Sequence, residues 1–370
     1  MPHGALAGAA ITCSNFWVDF TLGETEQAVA QAAAHALDRS PPLPGRALWK
    51  ELGQAGLLGL ALPAWLGGDG LGVLDTAVLL TEIGWRAAPV PALATLAMGV
   101  LPVVRWGTRE LQQALLEGVA AGDTILTAAV REPSDPMPAA PATTVRNGCI
   151  SGVKTGVQYG AAARWILVPA SLAPGGTGVA VVDPSADGVR LSPTPSSAGG
   201  PEHTLHLDDA PVAHLLRDDH AVAGLYQLTL AGAACLADGV LAGALALTTA
   251  HVGSRRQFGR PLATFQAVAQ QIADVAIVSR TLHLAALSAC WRLDTGREAG
   301  GDLDVAAYWL ADQVPGALRT CHHLHGGTAM DVAYPLHRYS ALVKDLVRLV
   351  GGTDYRLGRL GARVGAGACG

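Results

Sequence analysis

The sequence predicts an α+β fold in three parts: an N-terminal helical domain, a middle β domain and a C-terminal helical bundle. Amphipathic helical patterns fill the first third of the 370 residues, and short β-rich segments punctuated by Gly and Pro fill the middle. Longer apolar helical patterns fill the last third. Because the pattern changes near residues 124 and 215, we expect domains over 18–124, 125–215 and 216–370, after a disordered tail over 1–17.

The first domain is expected to begin with a helix over Glu24 to Leu37, whose acidic first turn suits the positive end of a helix dipole. A Gly-rich loop is expected over Pro63 to Gly72. The remaining helical patterns of this domain cover Ala47 to Leu57, Leu74 to Trp85, Pro91 to Arg105 and Thr108 to Ala121.

The middle domain shows a hairpin signal at Asn147-Gly148, which lies between two β-rich segments. Further strands are expected at Trp165 to Val168, Gly178 to Val182 and His203 to Leu207. Several short strands separated by turn residues predict a small barrel or sandwich.

The last third contains four long helical patterns joined by short connections, which favours an antiparallel four-helix bundle. They cover Ala221 to Val252, Phe265 to Thr295, Asp302 to Leu324 and Tyr334 to Val350.

The composition excludes several classes of function. The net charge is −5 and no basic cluster is dense enough for nucleic acid, so a small-molecule substrate is expected. The sequence contains no uninterrupted apolar run of about eighteen residues, so no membrane-spanning helix is expected. The six cysteines have neither the spacing of a disulfide framework nor that of a zinc site, which indicates a reduced, cytoplasmic protein.

The sharpest motif runs from Arg255 to Leu262 and continues with Phe265-Gln266. Arg can bind phosphate oxygens through paired hydrogen bonds, while Phe can lie against a flat heterocycle and Gln can bind its edge. A purely structural alternative is a helix C-terminus with favourable cations, followed by a Pro-Leu restart.

A second motif is His322-His323-Leu324-His325-Gly326-Gly327. Three histidines on one helix end without carboxylates are a poor metal site, so no metal is predicted. The glycine pair permits close approach of the backbone to a ligand, although a helix C-cap would use the same residues. A third motif, Tyr334 to Tyr339, specifies no chemistry by itself.

Taken together and in this order, the three motifs resemble the acyl-CoA dehydrogenase family. Leu57 to Gly72 resembles the helix and glycine loop near that family's N-terminus, and Ser151 to Lys154 resembles the strand that opens its β domain. The resemblance is closest to the bacterial branch that acts on steroid side chains and other bulky acyl chains, in which two unlike subunits are often paired.

This resemblance implies an N-terminal helical domain, a middle β-barrel domain and a C-terminal four-helix bundle. It also implies FAD, bound between two subunits, and α,β-dehydrogenation of an acyl-CoA thioester. The adenine and pyrophosphate half of the cofactor would be held by six residues of this chain: Arg255, Gln257, Phe258, Gln266, Gly326 and Gly327.

The sequence departs from the family at the catalytic base. One family position for the catalytic Glu falls on Val350, and the other falls near Thr229. Neither residue is a carboxylate. Asp354 is a weak substitute about one helical turn beyond Val350, and Asp238 lies more than two turns beyond Thr229.

The segments that would hold the flavin ring also differ from the family pattern. Gly156-Val157-Gln158 replaces the Trp-x-Thr of many members, and Arg131 replaces a Thr that commonly contacts the ring.

Three functions stay open on this sequence. The chain is a flavoprotein dehydrogenase subunit, a non-catalytic partner that completes the FAD site of another chain, or a flavin monooxygenase of the same fold. In each case a homo- or hetero-oligomer is expected.

Overall fold

The computed structural model describes residues 20–39 and 45–367, so the expected tail over 1–17 lies outside the described residues. The N-terminal helices are α1 (Glu24–Arg39), α2 (Gly45–Gln54), α3 (Val73–Trp85), α4 (Leu101–Trp106) and α5 (Arg109–Leu116). A π-helical segment, Leu93–Val100, leads directly into α4.

The last helix of this part is shorter than the sequence pattern predicts. The helix expected to reach Ala121 ends at Leu116, because Gly118 and Gly122 take the left-handed conformation, with φ of 80° and 68°. The amphipathic pattern therefore continues past the end of the helix into turns.

Strands β1 to β8 form one sheet in the order β6-β7-β3-β2-β4-β5-β8, with β1 paired to β4. Their bounds are β1 (Leu126–Ala128), β2 (Thr144–Arg146), β3 (Cys149–Gln158), β4 (Trp165–Leu172), β5 (Thr177–Val182), β6 (Val189–Thr194), β7 (Glu202–Pro211) and β8 (His214–Leu216). The predicted hairpin is confirmed, since β2 and β3 pair across Asn147 and Gly148, both with positive φ.

The sheet lies between two apolar cores. On β4, Ile166 and Val168 point into a core enclosed by the sheet itself, whereas Leu167 points into the core shared with the helices. This alternation follows from the two-residue period of a strand. The sheet therefore wraps around its own interior as a barrel does, and its outer face anchors it to the helical parts.

The C-terminal part contains the four predicted helices and one more. They are α6 (Ala221–Ser254), α7 (Gln266–Asp294), α8 (Gly300–His325), α9 (Leu336–Leu349) and the additional α10 (Gly352–Gly367). The glycines at 351 and 352, both with positive φ, separate α9 from α10.

Helix α6 is the core of the bundle and touches α3 backbone to backbone. A Cβ at Gly239 would lie 1.9 Å from the Thr81 carbonyl oxygen, and a Cβ at Gly243 would lie 2.1 Å from that of Trp85. Only glycine allows this distance, which is why both positions lack a side chain.

By length and composition, α6 and α7 are both apolar enough to cross a membrane, although neither is an uninterrupted apolar run. In α6, 78% of the apolar window is buried inside the protein, as expected of a core helix. In α7 the share is 33%, so this helix presents much of its apolar surface outward.

A buried ion pair fixes the start of the β domain. Lys154 Nζ lies 2.7 Å from Glu132 Oε1, and both side chains are almost fully buried. Glu132 also accepts hydrogen bonds from the backbone of Ala142 and from Thr143. Burial alone would raise the pKa of Glu132, but these bonds and the one from Lys154 lower it to about 2.

We expect Lys154→Met to lower the free energy of unfolding by about 3–5 kcal/mol, because it leaves the Glu132 carboxylate buried and unpaired. The matched control is Lys344→Met at an exposed position, for which the change should stay within about 0.5 kcal/mol. Urea unfolding followed by circular dichroism measures both. Equal effects of the two substitutions would contradict this account.

Candidate functional site

The first motif forms a short ribbon that joins α6 to α7. Strand β9 (Arg256–Gln257) pairs with β10 (Arg260–Pro261), and Phe258 and Gly259 make the turn with φ of 52° and 80°. The Phe258 side chain is 89% exposed. An aromatic ring therefore stands at the tip of the ribbon, uncovered by the described residues of its own chain.

The arginines of the ribbon divide into two groups. Arg256 donates a hydrogen bond to the Gly259 carbonyl oxygen, and the Arg260 guanidinium lies 4.0 Å from the centre of the Phe265 ring. These two side chains stabilise the ribbon. Arg255, at the C-terminal end of α6, is exposed and has no side-chain hydrogen bond to any described residue. It is the arginine best placed to bind an anion.

The second motif contacts α6, the helix that leads into the first motif, through two stacked imidazoles. The His251 ring, in the last turn of α6, lies on the His325 ring at the end of α8, with centroids 4.4 Å apart and planes 25° apart. The buried His325 Nδ1 donates to the Cys321 carbonyl oxygen at 2.8 Å. The Tyr334 hydroxyl, from the third motif, donates to His325 Nε2 at 2.9 Å. The second and third motifs therefore meet at His325, which also contacts the last turn of α6 just before the first motif.

The glycine pair directly after His325 is open to ligands. Gly326 has φ 56° and ψ −136°, a conformation that strongly favours glycine. Gly326 and Gly327 are exposed, and a Cβ at either would meet no described atom within 4 Å. Beyond them, Met330 and Val332 are 85% and 82% exposed. This loop and the Phe258 ribbon form an exposed end of the bundle, which we call the ribbon end.

The histidines of the second motif have separate partners. His322 Nε2 lies 2.6 Å from Ser340 Oγ, His323 is exposed, and His325 is bonded as described above. No group of three metal-binding side chains occurs among the described residues.

Neither Thr229 nor Val350, the two positions that the resemblance gives for the base, lines the small cavity of about 240 Å³ whose wall includes Tyr226, Leu230 and Arg356. Thr229, one turn after Tyr226 on α6, is fully buried and donates to the Leu225 carbonyl oxygen at 2.7 Å. Val350 is also fully buried, and its carbonyl oxygen accepts a hydrogen bond from Arg356 Nε. Asp354 is exposed in the first turn of α10 and does not line this cavity.

The cavity carries a charge pattern that the sequence did not reveal. Arg356, Arg359 and Arg363 line it from one face of α10. Asp304 is the buried carboxylate on its wall, and its oxygens lie 3.1 Å from Arg363 Nε and 3.8 Å from an Arg356 Nη. Burial lowers the pKa of Arg356 to about 10, which still leaves it charged at neutral pH. Asp219 also lines the cavity, so three arginines face two aspartates and the net charge of the wall is positive.

A larger cavity, of about 800 Å³, lies between the N-terminal helices, the sheet and α9. Its polar wall includes Gln158, Glu202 and Asp345. The Arg348 guanidinium bonds to Glu202 at 2.6 Å and to Asp345 at 2.9 Å, which closes this wall with an ion-pair network.

Arg131 lies beside this network, against Gly156. Its Nη1 atom lies 3.2 Å from the position that a Cβ at Gly156 would take, so the missing side chain leaves room for the guanidinium. Burial, followed by the charge of Arg348, lowers the pKa of Arg131. The two departures from the family pattern therefore form one local exchange, in which a charged side chain enters the space beside the sheet.

Family models match both helical parts of the chain. The model for the acyl-CoA dehydrogenase N-terminal domain matches residues 23–123, and the model for the C-terminal domain matches residues 228–364. The chain belongs to the acyl-CoA dehydrogenase family, which confirms the resemblance drawn from the motifs.

Three relatives are similar over nearly the whole chain. Acyl-CoA dehydrogenase FadE28 of Mycobacterium tuberculosis is 46% identical over 94% of this chain and 99% of its own length. The Tcur3481-Tcur3483 steroid ACAD has a TM-score of 0.87 and 33% identity, over 95% of this chain and 100% of the matched chain. The ChsE4-ChsE5 complex from Mycobacterium tuberculosis has a TM-score of 0.87 and 31% identity, over 94% and 99%.

The flavin is found in solved proteins of this fold. A glutaryl-CoA dehydrogenase from Mycobacterium smegmatis in complex with FADH2 has a TM-score of 0.82 and 20% identity, over 93% of this chain and 95% of its own. FAD, the cofactor implied by the resemblance, is thereby confirmed for the family.

We expect Glu202→Gln to lower the free energy of unfolding by about 1–3 kcal/mol at pH 7, because Arg131 and Arg348 then lose the carboxylate between them. Glu117→Gln, at an exposed position, is the control and should change little. Urea unfolding of both variants checks the expectation. If Glu202→Gln unfolds like the wild type, the network does not stabilise the fold.

Proposed function

We propose that this chain is one subunit of a heteromeric acyl-CoA dehydrogenase. In this assembly its ribbon end binds the adenine and pyrophosphate of an FAD whose ring, with the catalytic base, belongs to a partner chain. The observation that carries the proposal is a contrast between two regions of the chain. The ribbon end is open, whereas the region where the chain's own flavin ring would lie is lined by the charged residues Arg131, Glu202 and Arg348.

The ribbon end fits the polar half of FAD held between two chains. Arg255 offers a guanidinium for phosphate oxygens, and Gly326 and Gly327 allow close approach of the backbone. Phe258 offers a face for adenine, with Gln257 and Gln266 exposed nearby to bind its edge. Because these groups point away from their own chain, a ligand here would be completed by another subunit.

The outward face of α7 supports an assembly. Ile277 is 61% exposed and Leu284 is 37% exposed on this helix, and Val305 on α8 is 43% exposed. A bundle with apolar side chains on its outer face is expected to pack against another bundle. The relatives named above include two whose solved forms pair two differently named chains.

The chain's own ring side fits a flavin poorly. A neutral isoalloxazine would have to lie against Arg131 and the Glu202–Arg348 pair, whose charges would then be buried away from water. The Gly156-Val157-Gln158 segment offers neither the aromatic ring nor the hydroxyl of the family pattern. We therefore assign the ring to the partner chain.

The base is also assigned to the partner. Proton abstraction from the α-carbon of a thioester requires a carboxylate at that atom in a dry pocket. Val350 and Thr229 cannot accept a proton at neutral pH, and Asp354 is exposed outside the cavity. Asp304 lines the cavity, but its carboxylate is already paired with Arg356 and Arg363.

The reaction proposed for the assembled enzyme is the α,β-dehydrogenation of an acyl-CoA. FAD supplies the hydride acceptor for the β-hydrogen when it is bound. This chain's residues hold the cofactor, and its arginine-lined cavity would attract an anionic group of the CoA thioester. The steroid ACAD among the relatives favours a bulky acyl group.

We expect Arg255→Ala to weaken FAD retention by the assembled protein, because a charge-assisted pair with phosphate contributes about 1.5–3 kcal/mol. Flavin content after gel filtration, read from absorbance at the flavin band, measures the loss. Arg146→Ala, at the exposed hairpin of the β domain, is the matched control and should keep its flavin. Unchanged FAD content in Arg255→Ala would refute the assignment of Arg255.

We expect the isolated chain to show little or no dehydrogenase turnover, since loss of a general base typically costs about 10²–10⁴-fold in rate. The assay uses an artificial electron acceptor with short-chain and steroid-linked CoA thioesters, on the isolated chain and on the complex with its co-purifying chain. The complex should turn over and contain one FAD for each pair of unlike chains.

Robust turnover by the isolated chain would overturn this proposal. If Asp354→Asn or Asp304→Asn then abolished the turnover, the chain would carry its own base. Oxygen consumption with reduced flavin, in place of acceptor reduction, would instead indicate a monooxygenase.

A further inference from the structure

His251 occupies a position on the ribbon end that no motif of the sequence singled out. It lies one helical turn before Arg255 on α6, so the two side chains share a face of the helix. Its ring is stacked on His325, the residue that directly precedes Gly326. His251 therefore stands between the two segments assigned to the pyrophosphate.

An anion that binds at the ribbon end needs positively charged side chains beside it. Two long helices, α6 and α8, end here, and the last carbonyl groups of a helix carry partial negative charge. An anion is repelled by such ends unless positive side chains lie between. Arg255 supplies one charge, and a second cation would offset the other charge of a pyrophosphate dianion.

We propose that His251 is a further FAD-binding residue, neutral in the free protein and protonated when the pyrophosphate binds. The inference rests on the proposed function, since it takes the ribbon end as the pyrophosphate site. FAD binding then includes the uptake of a proton by this imidazole.

His325 is not the group that charges, because both of its nitrogens have partners. Its Nδ1 donates to the Cys321 carbonyl oxygen and its Nε2 accepts from the Tyr334 hydroxyl, which fixes the neutral tautomer. The ring nitrogens of His251, by contrast, have no hydrogen bond to a described residue. His325 thus positions the ring of His251, and His251 keeps its nitrogens available to a ligand.

In the free chain, burial first, then the neighbouring His325 ring and the positive charge of Arg255, lower the pKa of His251. At pH 7 the ring is therefore neutral. A phosphate beside it raises the pKa of His251 in the bound state, so binding takes up a proton. FAD affinity is then strongest at low pH and weakens as the pH rises through the bound-state pKa.

The groups that act electrostatically on His251 are His325 on α8 and Arg255 at the end of α6. Cys321 and His322 precede His325 on α8, Tyr334 bonds to His325, and His337 and Arg338 follow on α9. The carboxylate in the connection between α8 and α9, Asp331, accepts a hydrogen bond from the Ala333 backbone. Neither group that acts on His251 is a carboxylate, so neither holds it charged before an anion arrives.

The experiment titrates FAD into the flavin-stripped complex from pH 5.5 to 8 and follows the quenching of flavin fluorescence. Calorimetry in two buffers of different ionisation enthalpy counts the protons taken up. The wild type should take up a substantial fraction of a proton near pH 7. His251→Phe keeps an aromatic ring on His325 and should lose this uptake, with FAD affinity at pH 6 reduced about threefold to tenfold.

The matched control is His323→Gln, which removes an exposed imidazole two residues from His325 and should keep both the uptake and the affinity. Zero proton uptake by the wild type would overturn the inference, and this result does not depend on whether a variant assembles. Equal proton uptake by the wild type and by His251→Phe would also overturn it. The Arg255→Ala measurement separates failure of the proposed FAD site from failure of the role of His251. If it leaves FAD affinity unchanged, the site assignment fails; if it weakens FAD while His251→Phe keeps the proton uptake, only the role of His251 fails.

Discussion

The site depends on one aromatic contact, the stack of His251 on His325. These residues end two helices that are separated in the chain by the whole of α7. The contact joins the last turn of α6, which precedes Arg255, to the residue that precedes the glycine pair of α8. The Tyr334 hydroxyl ties the segment before α9 to the same imidazole. The second and third motifs and the helix that leads into the first therefore all meet at His325.

The packing of the bundle determines which groups are left for a partner. Glycines of α6 bring it against the backbone of α3, so the core helix is fixed to the N-terminal domain and its last turns extend outward. The following ribbon has no covering element among the described residues, and α7 returns with much of its apolar surface exposed. In the proposed function, such a chain presents half of a binding site and part of an interface side by side, which links its chemistry to its assembly.

The sequence predicted what depends on local pattern. The Asn147-Gly148 hairpin and the long bundle helices follow from turn chemistry and helical periodicity. It missed the end of α5 at Leu116, because a glycine in the left-handed conformation stopped an amphipathic pattern that continues beyond it. It also missed α10, whose glycines weaken the helical signal.

Contacts between distant segments could not be predicted from one sequence. Arg131 and Gly156 departed from the family pattern separately, and only the fold shows that one makes room for the other. The partner of Glu202, Arg348, lies on α9, and Arg356 reaches Val350 across the turn between α9 and α10. No sequence motif includes His251, because its proposed role depends on the tertiary contact with the His325 ring. The assignment of FAD came from the resemblance, and the residues proposed to hold it include those that the fold leaves exposed at the ribbon end.

The most direct test of the central claim is photolabelling of the assembled complex with FAD that carries an azide on adenine. If this chain holds the adenine of a cofactor whose ring lies on the partner, mass spectrometry should find the label on this chain, within the segment from Arg255 to Gln266. Label confined to the partner chain would contradict the account.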